Sequence, residues 1–228
     1  MGQTGGVGKV GMRVGSRALR RDAAANRDRV LTAATAAVKR EGDKVPLATI
    51  AEDAGVGVGT LYRRFPTRAD LLTAVADLSY RLVLEHARGA ADSEEPAITS
   101  LGVFLDQVIS DRDDLVLPMH GGPVALDQDT VALRTGISDT LEKVLHRGRR
   151  DGTVREDVTG VDIIIIGALL SRPLPHAPDW ERTARRQARV YLDGLAMTAA
   201  TPLPGHGPTR AELEAAFAET EQGKPQTT

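Results

Sequence analysis

Apolar positions along this chain recur at a spacing of three to four residues, and no clear period-two run interrupts them. That pattern predicts helices throughout and an all-α fold. Val30, Ala34 and Ala37 share one helical face, with Gly42 as the stop. A short helix over residues 48–54 ends at Gly55, and a second over residues 58–64 ends before Pro66. Thr67 with Asp70 has capping-box spacing and opens a longer helix, whose stripe is Leu71, Val75, Leu78 and Leu82. Ser93 and Pro96 open the next helix, with Ile98, Leu101, Leu105 and Val108 facing inward and Phe104 alongside.

After an irregular stretch at residues 111–127, Leu133, Ile137, Leu141, Val144 and Leu145 predict a helix that ends near residues 148–152. Thr159 and Asp162 repeat the capping-box spacing ahead of residues 163–170, which are apolar on every side. A helix apolar all round is buried all round. In a chain of this size that places one face on the core and the other on a second subunit. A turn at residues 173–178 precedes the stripe Trp180, Ala184, Ala188, Tyr191 and Leu195. From Pro202 the chain is rich in Pro and Gly and predicts a loose tail, apart from a short helix at residues 211–219.

Composition narrows the classes. The absence of cysteine excludes disulfides, thiolate nucleophiles and Cys-ligated metal. The longest apolar run falls far short of the ~20 residues that span a bilayer. Five basic groups near the N-terminus are followed by no apolar core of the kind a signal peptide carries. The expectation is a soluble, cytoplasmic protein with no membrane contact. The overall charge of −2 hides an asymmetry. Residues 1–72 hold thirteen Lys/Arg against seven Asp/Glu, a net of +6, and the rest carries −8. Residues 1–25 are Gly-rich and basic with no apolar period, which predicts a disordered arm. A basic arm on a compact domain is an electrostatic footprint of nucleic-acid binding.

The informative stretch runs over residues 47–65, "LATIAEDAGVGVGTLYRRF". Gly55 supplies the tight turn between two short helices, because glycine alone takes a left-handed backbone cheaply. Ile50, Ala51, Ala54, Val56, Leu61 and Phe65 close a small core, and the small alanines let the helices cross closely. This is helix-turn-helix grammar, whose second helix enters the major groove.

At these residues a family resemblance is plain. The run "TIAEDAGVGVGTLYRRFPTRADLL" resembles the DNA-binding domain of the TetR family of transcriptional regulators, densely over residues 27–74. The resemblance implies a three-helix DNA-binding domain followed by a helical ligand-binding and dimerisation domain. It places Val58, Gly59 and Thr60 at the start of the recognition helix. Val58 offers a methyl contact to thymine, and Gly57 and Gly59 permit close approach of backbone to DNA. Thr60 and Tyr62 offer hydroxyls to phosphate, and Arg63 and Arg64 reach phosphate or guanine. Thr49 is the contact from the preceding helix, and Arg68 stands near a phosphate. Phosphate contacts of this kind fix register without reading sequence. Arg13, Arg17, Arg20 and Arg21 either enter the adjacent minor groove or belong to an ordinary tail.

The resemblance further implies a homodimer through the last two helices, about residues 158–171 and 179–200, and a small-molecule pocket among the middle helices. The segment "RRDGTVREDVTGVDI" with the later "W…YLDGL" is similar to an actinobacterial-type ligand domain of the family. Pocket candidates by helix face are Leu101, Phe104, Val108, Ile137, Leu141 and Ile166, with His120 in the loop, each equally readable as core. The expected division is an arm at residues 1–22, a DNA-binding domain at 23–83 with its helix-turn-helix at about 46–65, a ligand and dimer domain at 84–200, and a tail at 201–228.

Rival chemistry fails on context. Residues 6–11 satisfy G-x-G-x-x-G, but no strand precedes them. The five histidines show no metal-ligand spacing, and Asp111, Asp113 and Asp114 read as a helix-end cluster. No catalytic residue, metal or cofactor is expected. The reading is a bacterial regulator, a repressor of a pseudo-palindromic double-stranded operator released by a small-molecule effector, and held at the nucleoid while bound. The alternative is a small-molecule-binding or interaction protein on the same fold with weak or lost operator specificity, because the glycines around Val58 leave few base-reading side chains.

Overall fold

The computed structural model describes residues 11–42, 44–116, 127–174, 179–196 and 201–222, with side chains between residues 25 and 219. The described residues form nine α-helices and no sheet, only an isolated bridge between Val154 and Ala196. They divide into two compact units, Met1–Leu71 and Leu72–Thr228. This division falls near the start of the fourth helix.

The first unit contains α1 (Gly11–Glu41), α2 (Leu47–Asp53), α3 (Val58–Arg64) and the start of α4 (Arg68–Asp92). Helix α1 begins well before the expected end of the basic arm. The reason lies in residues 17–40, which hold neither Gly nor Pro and many Ala and Arg, all favourable in a helix. The first ten residues lie outside those described. Val30, Leu31, Ala34, Ala37 and Val38 of α1 close over Leu47, Ile50, Ala51, Leu61 and Phe65. Helix α2 ends in a Schellman motif: Val56 N–H donates to Ala51 O at 3.0 Å and Gly55 N–H to Glu52 O at 2.9 Å. Gly55 supplies the positive φ of +63° that this turn requires.

The second unit holds the rest of α4, then α5 (Ala97–Ser110), a 3₁₀ turn over Asp111–Asp114, α6 (Gln128–Arg150), α7 (Gly160–Leu170), α8 (Trp180–Leu195) and α9 (Arg210–Gln222). Helix α5 is central, packing along α8 and against α6 and α7. Phe104, Leu105, Ile109, Leu141, Leu145, Ile163 and Leu195 are fully buried around it. The Thr159 and Asp162 capping box at the start of α7 is formed on both sides.

Two arginines of α6 join helices. Arg147 donates to the carbonyls of Ala90, Ala91 and Ser93, closing the C-terminal end of α4 with positive charge. Arg149 donates to Glu142 Oε1 at 2.7 Å and to the Val158 carbonyl, while Glu142 Oε2 accepts from Gly160 N–H at 2.8 Å. Close packing here depends on the small size of Gly148, where a Cβ would stand 2.3 Å from Val154 Cγ2 and 2.8 Å from Ala97 Cβ.

The tail carries a longer helix than its Pro and Gly content predicts. Helix α9 runs to Gln222, three residues beyond the expected short helix. It is capped by Thr209, whose N–H donates to Glu212 Oε2 at 2.7 Å. Residues 117–126, 175–178 and 197–200 lie outside those described, and with them His120 and His176.

Candidate nucleic-acid interface and apolar cavity

Helix α3 turns two kinds of residue to opposite sides. Leu61 is fully buried and Phe65 nearly so, whereas Val58 is 42% and Tyr62 49% exposed. Gly57, Gly59, Arg63 and Arg64 are also exposed, and Thr49 and Thr60 are half-buried. The outward face therefore presents one methyl-bearing side chain, two hydroxyls and two guanidinium groups beside backbone that no side chain covers. Tyr62 leaves about half of its surface open to contact. Arg68 stands apart. Its Nη1 donates to Val45 O at 2.6 Å, so its guanidinium pins the link between α1 and α2.

Neither glycine of this face is required by the fold. Gly57 is the N-cap of α3 with an ordinary extended φ of −67°. A Cβ at Gly59 would meet no atom within 4 Å, and one at Gly57 would only touch Thr60 Oγ1 at 4.0 Å. Glycine inside a helix costs about 0.5–1 kcal/mol relative to alanine. That cost is carried with no compensating contact inside this unit.

The second unit holds a partly open cavity of about 70 Å³, with walls from α4, α5, α6, α7 and α9. Phe104, Val108 and Ile137 stand on its wall as the helix faces predict. Leu101 and Leu141 do not: both have no exposed surface, sealed in the core behind the wall. Ile166 packs against that core and is not a wall residue, whereas Ile164 and Gly167 of the same helix are. An all-apolar helix gives no amphipathic signal by which to choose its cavity side.

The polar centre of the cavity is Arg134, which the apolar stripe concealed. Its position, three residues before Ile137 and seven before Leu141, puts it on the inward face of α6, and it is 5% exposed. Its Nε donates to Glu214 Oε1 at 2.8 Å and its Nη2 to Glu214 Oε2 at 2.5 Å, a bidentate pair. The guanidinium lies between two rings, 5.6 Å from the Tyr80 centroid and 5.1 Å from that of Phe217. Burial is the strongest single influence and works against its charge, but the hydrogen bonds and charge attraction from Glu214 and Tyr80 together outweigh it and raise its pKa. Burial likewise pushes the Tyr80 hydroxyl up, with Arg134 pulling against it, so the phenol stays neutral.

Leu213, Glu214 and Phe217 bring α9 onto the cavity. Full burial of a Leu and a Phe contributes about 3–6 kcal/mol, and these two are only half-buried, so α9 is held by roughly half of that plus its ion pair. The sequence signal for this was a Glu and a Phe three residues apart in a predicted tail helix, meaningful only once Arg134 is known to face inward.

Among the described residues no cluster of His, Cys, Asp or Glu could hold a metal ion, and no helix is long and apolar enough to cross a membrane. Residues 30–75 match the family described as bacterial regulatory proteins of the tetR family, and residues 99–197 match the C-terminal domain of SbtR-like transcriptional regulators. A TetR transcription regulatory protein of Mycobacterium vanbaalenii is 34% identical, with 78% of this chain and 99% of that one covered and a TM-score of 0.55. The TetR transcriptional regulator SCO0520 of Streptomyces coelicolor is 28% identical, with 75% and 98% covered and a TM-score of 0.51. The HTH-type transcriptional regulator TtgR of Pseudomonas putida is 27% identical over 180 residues, 78% of this chain and 82% of that protein.

Proposed function

The chain belongs to the TetR family of transcriptional regulators, and from that premise we propose that it is a homodimeric repressor released from its operator by a small-molecule effector. It is a DNA-binding regulator and not an enzyme. The observation that carries the proposal is the outward face of α3, where Val58, Thr60, Tyr62, Arg63 and Arg64 stand beside two glycines the fold does not need. Val58 and the arginines read base edges, and Thr49, Thr60 and Tyr62 hold phosphates. The glycines let the helix seat deeply in the groove. Arg68 contributes a phosphate contact only through whatever its bond to Val45 leaves available.

Dimerisation runs through α7 and α8. On α8 the residues Thr183, Gln187, Val190 and Gly194 form an uncharged strip, and Val190 is strongly exposed. On α7, Leu169 is exposed and Ile165 half-buried. Apolar groups left outside on two adjoining helices support a self-complementary seam across a two-fold axis. Two reading heads set one helical turn apart, ~34–36 Å, then match a pseudo-palindrome. The cavity is the effector site, with Phe104, Val108 and Ile137 as apolar wall. A regulator of this kind acts where the chromosome is, in the bacterial cytoplasm, and is nucleoid-associated while bound.

The test is selection of bound genomic fragments with the purified protein, followed by anisotropy on the winners at two salt concentrations. One enriched palindrome that holds at the higher salt supports the repressor. Salt-sensitive binding to all fragments alike would instead favour a phosphate-dominated binder with little sequence preference. On the selected site, Tyr62→Ala with Thr60→Ala should lower affinity about tenfold or more, with the dimer and melting temperature unchanged. Unchanged affinity would remove α3 as the reading surface.

A further inference from the structure

The geometry points to an apolar monocarboxylate as the effector, one whose head group replaces the Glu214 carboxylate on Arg134 and so releases α9. This rests on the reading of the cavity as the effector site. The argument starts from what the cavity already contains. Helix α9 presents to it one carboxylate and two apolar side chains, Leu213 and Phe217, which together have the chemistry of an apolar acid. The guanidinium fork receives both carboxylate oxygens, the geometry that any carboxylate takes on arginine.

Three further observations agree. Glu214 lies eighty residues beyond Arg134, on the terminal helix, whereas Arg147 and Arg149 bond groups within the helical body. The anion on Arg134 is therefore the one that can leave without dismantling the core. The remaining volume of about 70 Å³ is too small for an effector, because a cavity of roughly 150 Å³ is what accommodates benzene. A ligand that fills this site makes room most readily by displacing the α9 side chains. The Tyr80 hydroxyl is buried on the same wall beside Arg134, and because a guanidinium can only donate, the hydroxyl keeps its own proton to offer to an incoming acid. An amine would meet the Arg134 charge, and a neutral chain would leave that charge buried and unpaired once Glu214 moved away.

The test uses the full-length protein and a series of straight-chain and aryl carboxylic acids, with the matched alcohols and amines, followed by calorimetry. In the wild type the acids should bind and the alcohols bind at least about tenfold more weakly, a difference of one charged head group. Glu214→Gln, which keeps the shape and removes the competing charge, should strengthen the acids about tenfold and leave the alcohols within about twofold. A saturating acid should abolish amide exchange protection in α9 of the wild type. Phe217→Ala widens the cavity with both charges in place and should strengthen acids and alcohols alike. Should Glu214→Gln fail to fold, acids must still exceed alcohols about tenfold in Phe217→Ala. Equal binding of acids and alcohols there, or acids unaffected by Glu214→Gln, overturns the carboxylate inference and leaves the cavity as an effector site. If nothing in the series binds any of the three proteins, the cavity reading falls too.

Discussion

Helix α3 displays its chemistry on the outside of seven consecutive residues, whereas the cavity of the second unit is assembled from five helices between Tyr80 and Phe217. In α3 the buried side is apolar and the exposed side is small, hydroxylated or basic, so function and fold occupy opposite faces of one short element. In the cavity they share a face. Arg134 points inward among Tyr80, Ile137 and Phe217, and its charge is satisfied by a helix from the far end of the chain. A surface site of this sort tolerates change without loss of the fold, and one set into the core does not.

The largest expected effects come from breaking the packing that supports each region. Leu61 is fully buried beneath the exposed face of α3, and Leu61→Ala should cost about 2–5 kcal/mol through the cavity it leaves. Exchange protection should fall in residues 30–65 and DNA binding should vanish. Retained operator binding would mean that α3 does not need this support. In the second unit Gly148→Ala forces a methyl against Val154 and Ala97 and should cost about 1–3 kcal/mol by overpacking. Segment-resolved hydrogen exchange should show the loss around α5 and α6. An unaltered melting curve would show that Val154 gives way freely.

The contrast also explains what could be read from the sequence. The turn at Gly55, the capping boxes at Thr67 and Thr159 and the in–out alternation of α3 are local, with all their partners within a few residues, and helical spacing reveals them. Arg134 and Glu214 belong to one ion pair but to helices far apart in sequence, so each alone reads as a solvated charge. Leu101 and Leu141 carry the same apolar signature as Phe104 and Ile137, and only the packing of α5, α6 and α7 decides which of them faces a void. The start of α1 was concealed for a different reason. Arginine and alanine sustain a helix without an apolar stripe, and periodicity alone cannot see it.

Gly59 sharpens the comparison because stability and function should move in opposite directions there. Gly59→Ala adds a methyl that meets nothing within 4 Å and should stabilise the first unit by about 0.5–1 kcal/mol. The same methyl should weaken operator binding, if the bare backbone at this position exists for close approach to the groove. A variant that melts higher and binds DNA as well as the wild type would assign Gly59 no role in the complex. Gly167 of the cavity wall differs in kind, since a Cβ there would stand 3.6 Å from Leu105 and 3.9 Å from Phe104, in ordinary packing contact with the core.

The smallest effect concerns the cap of α9, the element that gives the cavity its far wall. The Thr209 amide and then its hydroxyl hold the Glu212 carboxyl below the usual carboxylate range, with His206 nearby adding to the shift. A folded-state pKa that is depressed contributes stability above the unfolded value and loses it as pH falls through the folded one. Helix α9 should therefore be fully capped at neutral pH and begin to fray as the solution becomes more acidic than an ordinary glutamate. Glu212→Gln separates this from protonation elsewhere: wild type and variant should differ in α9 exchange protection near neutrality and converge once acid has protonated the Glu212 carboxyl. A difference that persists unchanged into acid would show that the carboxylate charge has no part in the cap. Convergence would assign the start of α9 to an exposed carboxylate cap, a fastening weak enough for an element that leaves to admit a ligand.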